Sequence, residues 1–82
     1  MGKYWYKTCV ACGQGRLFVM KRQNEERLFL LCEECESAWN APTEVDDLTK
    51  NMSISGLHFG YANADDIARA GWDRDSMRQV DG

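Results

Sequence analysis

Histidine is nearly missing from this 82-residue chain: His58 is the only one. A hydrolytic metal centre or a nucleophile–base pair built on imidazole has that single residue to draw on. His58 sits in a short strand-like run and reads as a surface or half-buried side chain. Proline is equally scarce, with Pro42 alone. No run approaches the roughly 18 apolar residues of a membrane span. The opening MGKYWYKTC has no apolar core of the kind a secretory leader needs. The expected setting is therefore the cytoplasm, where thiols stay reduced. The Met-Gly start makes no myristoylation signal, because Tyr6 stands where that motif needs Ser or Thr. No low-complexity tract occurs, and no repeat beyond a doubled C-x-x-C. The adjacent pairs Asp46–Asp47 and Asp65–Asp66 do not share a helix face. Capping and solvation explain them better than acid–base chemistry.

An excess of positive charge is also lacking. Ten Lys and Arg stand against thirteen Asp and Glu, a formal net charge of -3. Phosphate attraction needs clustered cations, so the balance argues against a generic nucleic-acid binder. It suits a partner with a basic surface. At this length the chain forms one domain with a marginal core, and such scaffolds use disulfides, a structural metal or a partner.

What is present is four cysteines in two pairs, Cys9 and Cys12, then Cys32 and Cys35, in the pattern C-x2-C-x19-C-x2-C. That spacing falls in the four-cysteine zinc window. Four thiolates saturate a tetrahedral zinc and close it to water, so the expected role is structural. Counting the thiolates against one divalent ion adds about two negative charges. Gly13, just after the second cysteine, supplies the positive φ that a tight metal-binding turn requires.

Between the pairs, Arg16–Lys21 and Arg27–Cys32 read as strands joined by a polar turn through Asn24. Leu17, Val19, Leu28 and Leu30 occupy some alternation phases, and Phe18, Met20, Phe29 and Leu31 the opposite ones. Both faces of this hairpin are apolar and both need cover, one from the segment after Cys35. Lys3–Thr8 reads as a further strand, with Tyr4, Tyr6 and Thr8 on one face and Trp5 and Lys7 on the other. Trp39 reads as packing just beyond the metal site. Pro42 and Thr43 start a helical turn with Asp46 as the capping partner. Residues 49–56 read as a polar loop or extended piece, and Leu57–Ala62 as a short strand. Asn63 caps a helix whose first turn holds Asp65 and Asp66, with Arg69 near its end and Gly71 stopping it. Residues 73–82 read as a flexible, solvated tail.

Through CVACG, CEEC and the hairpin between them, residues 4–39 resemble the zinc-ribbon superfamily. The resemblance implies two metal-binding turns on a small antiparallel sheet, with Cys9, Cys12, Cys32 and Cys35 as ligands of one structural zinc. The second turn departs from the commoner pattern, since Glu36 follows Cys35 where Gly often sits. The expected fold is a small zinc-stabilised β-rich (α+β) domain over residues 1–72: a zinc ribbon with a hairpin or three-stranded sheet and a short C-terminal helix.

Iron is the first rival to zinc, as in rubredoxins, which are similar in their metal-binding turns. Those usually carry Gly after both pairs and more prolines. A thioredoxin-like redox centre fits poorly, because two pairs flank a hairpin and no βαβ pattern follows. With no catalytic constellation, the chain reads as a non-enzymatic module for a macromolecular partner. A protein with a basic surface comes first, met through Glu33, Glu34, Glu36 and Asp46. The chain would then be a small adaptor or a stoichiometric inhibitor, such as an immunity protein that blocks a basic nuclease toxin. The alternative is nucleic acid, held by Arg16, Lys21, Arg22 and Arg27 among aromatic side chains.

Overall fold

The strand-period segments do pair, and they recruit more of the chain than the hairpin alone. A computed structural model describes residues 2–23, 27–56 and 58–81. Its strands are β1 (Gly2–Thr8), β2 (Arg16–Arg22), β3 (Leu28–Cys32), β4 (Ala38–Trp39), β5 (Phe59–Tyr61) and β6 (Arg78–Asp81). They form one antiparallel sheet in the order β4-β3-β2-β1-β6. β5 pairs with β2 as well, along Met20, Lys21 and Arg22, while β1 pairs nearer the start of β2, at Arg16 and Phe18. One short helix, α1 (Ala64–Arg69), follows β5. Among the described residues no helix is long and apolar enough to cross a membrane.

The two apolar phases of the hairpin build two cores. Leu17, Val19, Leu28 and Leu30 face inward with Trp39, Val45, Ala62, Ile67 and Met77. Phe18, Met20, Phe29 and Ala38 lie on the outer face, flanked by half-buried Trp5, Leu31, Met52, Ile54, Phe59 and Val80. Trp39 does pack: it is fully buried and its indole N–H donates to the Asp47 carbonyl at 2.9 Å. The polar turn expected at Asn24 lies outside the described residues; beside it, Arg22 N–H donates to the Arg27 carbonyl at 3.0 Å.

Helix α1 begins where its cap signal stands. Asn63 Oδ1 accepts from Asp66 N–H at 2.8 Å, and Asp66 Oδ2 accepts from Asn63 N–H at 3.1 Å, a reciprocal capping box. Asp66 also accepts from Lys21 Nζ at 3.1 Å, which ties the helix start to β2. Burial pushes the Asp66 carboxyl up, but the Asn63 N–H and the Lys21 ammonium outweigh it and hold it below its ordinary range. Gly71, at φ 76°, takes the left-handed conformation past the helix end.

Three expectations need correction. The sheet has six strands rather than two or three. The segment read as a solvated tail instead forms a 3-10 turn at Arg74–Ser76 and then β6, which pairs with β1 from Gly2 to Trp5. Its sequence carries little strand signature. Burial of Met77 and the open edge of β1 decide its path. Pro42–Glu44 does form a single 3-10 turn, but without a side-chain cap. Asp46 instead accepts from Lys7 Nζ at 2.7 Å, 39 residues away.

Candidate metal centre

Each cysteine pair lies at a strand end, where the backbone must turn. Cys9 follows β1; its N–H donates to the Gly15 carbonyl at 2.8 Å, and its carbonyl accepts from Gly13 N–H at 2.9 Å. Gly13 sits at φ 71°, as the turn requires. Cys32 ends β3 and its N–H donates to the Ser37 carbonyl at 2.9 Å. Glu36 follows the second pair at φ 61°, the only non-glycine among the described residues in the left-handed region. The residue after each pair is thus left-handed, although the second turn lacks the glycine. Left-handed backbone costs a non-glycine residue about 1–2 kcal/mol. Glu36→Gly is therefore expected to stabilise the chain by up to about 1 kcal/mol, after the extra entropy that glycine loses on folding. Glu36→Val should destabilise it. Urea midpoints for the two variants check this, and a destabilised glycine variant would count against it.

The turns bring all four sulfurs within 4.8 Å of one another. Cys9 and Cys35 Sγ are 3.8 Å apart, and Cys12 and Cys32 Sγ 3.5 Å. Four sulfurs about 2.3 Å from a shared tetrahedral centre would lie about 3.8 Å apart. The cluster therefore fits a four-thiolate metal. Among the described residues no second group of three or more such donors occurs, and exposed His58 stands outside this one.

Backbone N–H groups aim at the sulfurs, the arrangement a thiolate needs. Gly15 N–H donates to Cys12 Sγ at 3.4 Å, and Glu34 and Cys35 N–H both donate to Cys32 Sγ at 3.4 Å. Cys35 Sγ lies 3.3 Å from Ser37 Oγ, whose hydroxyl is the donor once the thiol ionises. The Gly15 and Gln14 N–H groups lower the Cys12 pKa to about 6, and the Ser37 hydroxyl lowers that of Cys35. Burial pushes Cys9 up and Cys32 up to about 12. Hydrogen-bond donors thus favour the thiolate at Cys12 and Cys35, burial opposes it at Cys9 and Cys32, and a bound cation would favour it at all four.

Two features of the centre were not read from the sequence. Gly15 is buried, and a Cβ there would stand 2.5 Å from Cys32 Sγ and 2.9 Å from Glu34 Cγ. The second glycine of CGQG was its only signal. The other is a clamp between the turns. Arg16 Nε donates to Glu33 Oε2 at 2.8 Å and Nη2 to Oε1 at 3.2 Å. Arg16 N–H also donates to Glu33 Oε2 at 2.9 Å, and Glu33 N–H to the Arg16 carbonyl at 3.1 Å. This holds the Glu33 carboxyl below its ordinary range. Hence one residue of the acidic candidate set binds one of the basic set. Asp46 holds Lys7, and Lys21 holds Asp66. Glu34 and Glu36 are exposed beside the second turn, Arg27 is exposed ahead of β3, and Arg22 stacks 6.0 Å from the Phe29 ring centroid.

No family model matches the chain, and no significant match appears among curated proteins or solved structures, so what can be said of it rests on this geometry.

Proposed function

We propose that the chain is a non-enzymatic, zinc-binding module of the zinc-ribbon kind, whose sheet is held in shape by a structural zinc for binding a macromolecule. The observation that carries this is the set of four sulfurs within 4.8 Å of one another, two of whose separations, 3.8 and 3.5 Å, are near those of a tetrahedral thiolate site. Bound there, zinc supplies charge neutralisation and a cross-link between the ends of β1 and β3. All four positions are taken by thiols, which leaves none for substrate or water, and this supports a structural role over a catalytic one.

Charge balance put a basic protein first as partner. Two of its four proposed acidic contacts, Glu33 and Asp46, already hold cations of the chain itself. Arg16 and Lys21 of the basic set likewise hold carboxylates, so the emphasis moves from either charge set to the outer sheet face, where half-buried aromatics lie among cations.

Metal analysis of the purified protein tests the reading, together with the visible spectrum of a cobalt-substituted sample. One zinc per chain and a tetrahedral all-thiolate cobalt spectrum are expected. Iron as the native metal, or a cobalt spectrum with an oxygen ligand that exchanges with water, would sink it.

A further inference from the structure

We propose that the outer sheet face, built on Trp5, Phe18 and Tyr61 and flanked by Lys3, Arg16 and Arg78, binds single-stranded nucleic acid. This rests on the module reading above and names the class of its partner.

Strand register puts these residues on one side. Trp5 pairs across with Phe18 on β2 and with Arg78 on β6; Lys3 pairs with Val80 and Met20 with Tyr61. Phe18 forms a buried floor, and Tyr61 meets it edge-on with ring centroids 5.7 Å apart. Tyr61 is 50 % exposed and Trp5 half-buried, so both retain ring surface for a partner. Cations lie over these rings. Arg78 is 5.4 Å from the Trp5 centroid, Arg16 is 5.9 Å from Trp5 and 5.0 Å from Phe18, and Lys3 is 4.5 Å from Tyr61.

Charge complementarity selects the occupant. Strand residues of this phase include Lys3, Arg16, Arg22 and Arg78, and no carboxylate among those whose side chains are described. The acid that reaches the face is Glu33, just past β3, and Arg16 holds it. A sheet face with rings set among cations matches bases that stack on aromatic or guanidinium planes while cations meet the phosphates. An acidic protein surface would use the cations but gain little from the rings. The two rings with open surface, Trp5 and Tyr61, offer room for about two stacked nucleotides. The net charge of -3 opposes distant phosphates, so binding is local, modest and salt-sensitive.

Fluorescence anisotropy of the metal-loaded full chain with labelled oligo(U) and oligo(dT) tests this. At 50 mM salt, micromolar binding is expected, weakening about sevenfold at 200 mM if about two phosphates are neutralised, by Lys3 and Arg78. Tyr61→Ala should weaken it about tenfold, whereas Tyr61→Phe should keep it. Arg78→Ala, an exposed change, should weaken it several-fold and flatten the salt slope. A preference for oligo(U) would assign RNA, and one for oligo(dT) DNA. A folded chain with one zinc that binds neither strand overturns the inference and leaves the zinc reading standing. Equal binding by wild type, Tyr61→Ala and Arg78→Ala also overturns it. So does a protein partner that needs Tyr61 while both oligonucleotides stay unbound. A metal-free folded chain that still binds both strands through Tyr61 would sustain the inference and remove the zinc reading instead.

Discussion

Cys32→Ser is expected to leave a chain that neither retains a metal nor holds its sheet. Cys32 is 1 % exposed, ends β3 opposite Leu17, and belongs to the inner core with Leu30 and Trp39. Its sulfur receives two backbone N–H groups and lies 3.5 Å from Cys12 Sγ. A hydroxyl there is a poor metal donor and would be buried without its proper partners. A structural zinc contributes on the order of 10 kcal/mol to folding. A chain of this length has a total stability of roughly 4–12 kcal/mol. Loss of the site therefore removes about as much as the fold has to spare. Circular dichroism and metal analysis on one sample check this. Cys35→Ser should be milder, because Cys35 is exposed and Ser37 stands beside it. A Cys32→Ser chain that stayed folded without metal would mean that the sheet and its two cores suffice alone.

Trp39→Ala should cost about 3–5 kcal/mol, the usual range for deleting a buried large aromatic. Trp39 is fully buried on β4 and pairs with Leu30. Its removal opens a cavity in the inner core and leaves the Asp47 carbonyl without its indole donor. For a domain this small the thermal midpoint should fall by about 10 °C or more. Trp39→Phe keeps most of the packing and loses the hydrogen bond, so its cost should be nearer 1 kcal/mol. Metal stoichiometry well below the transition should be unchanged in both, because neither change removes a cysteine. A Trp39→Ala midpoint within a degree or two of wild type would show that the inner core does not depend on this ring.

Much of this architecture is local and so can be read along the chain. The four sulfur donors follow from cysteine spacing, because two C-x-x-C turns at the ends of one hairpin meet. The two apolar faces of β2 and β3 follow from alternation, since residues of either phase must point to opposite sides. Helix α1 follows from Asn63, whose cap depends on residues three positions away. The left-handed backbone after the first cysteine pair follows from Gly13, whereas that of Glu36 after the second pair has no glycine to announce it.

What lay beyond the sequence is what depends on distant partners. β6 exists because β1 has an open edge, which nothing in Arg78–Asp81 announces. The spacing of a glycine from a thiol belonging to the other turn, as with Gly15 and Cys32 Sγ, appears only when the turns meet. By position in the sequence, Glu33, Glu34, Glu36 and Asp46 form an acidic set and Arg16, Lys21, Arg22 and Arg27 a basic one. The fold pairs Lys7 with Asp46, Arg16 with Glu33 and Lys21 with Asp66, across 39, 17 and 45 residues. The cations set over the outer aromatics emerged only through strand register. Spacing and periodicity along the chain therefore determined the four clustered thiols and the strands β1, β2, β3 and β5. Tertiary structure decided which edges pair and which charges remain for a partner, because both depend on distances between segments far apart in sequence.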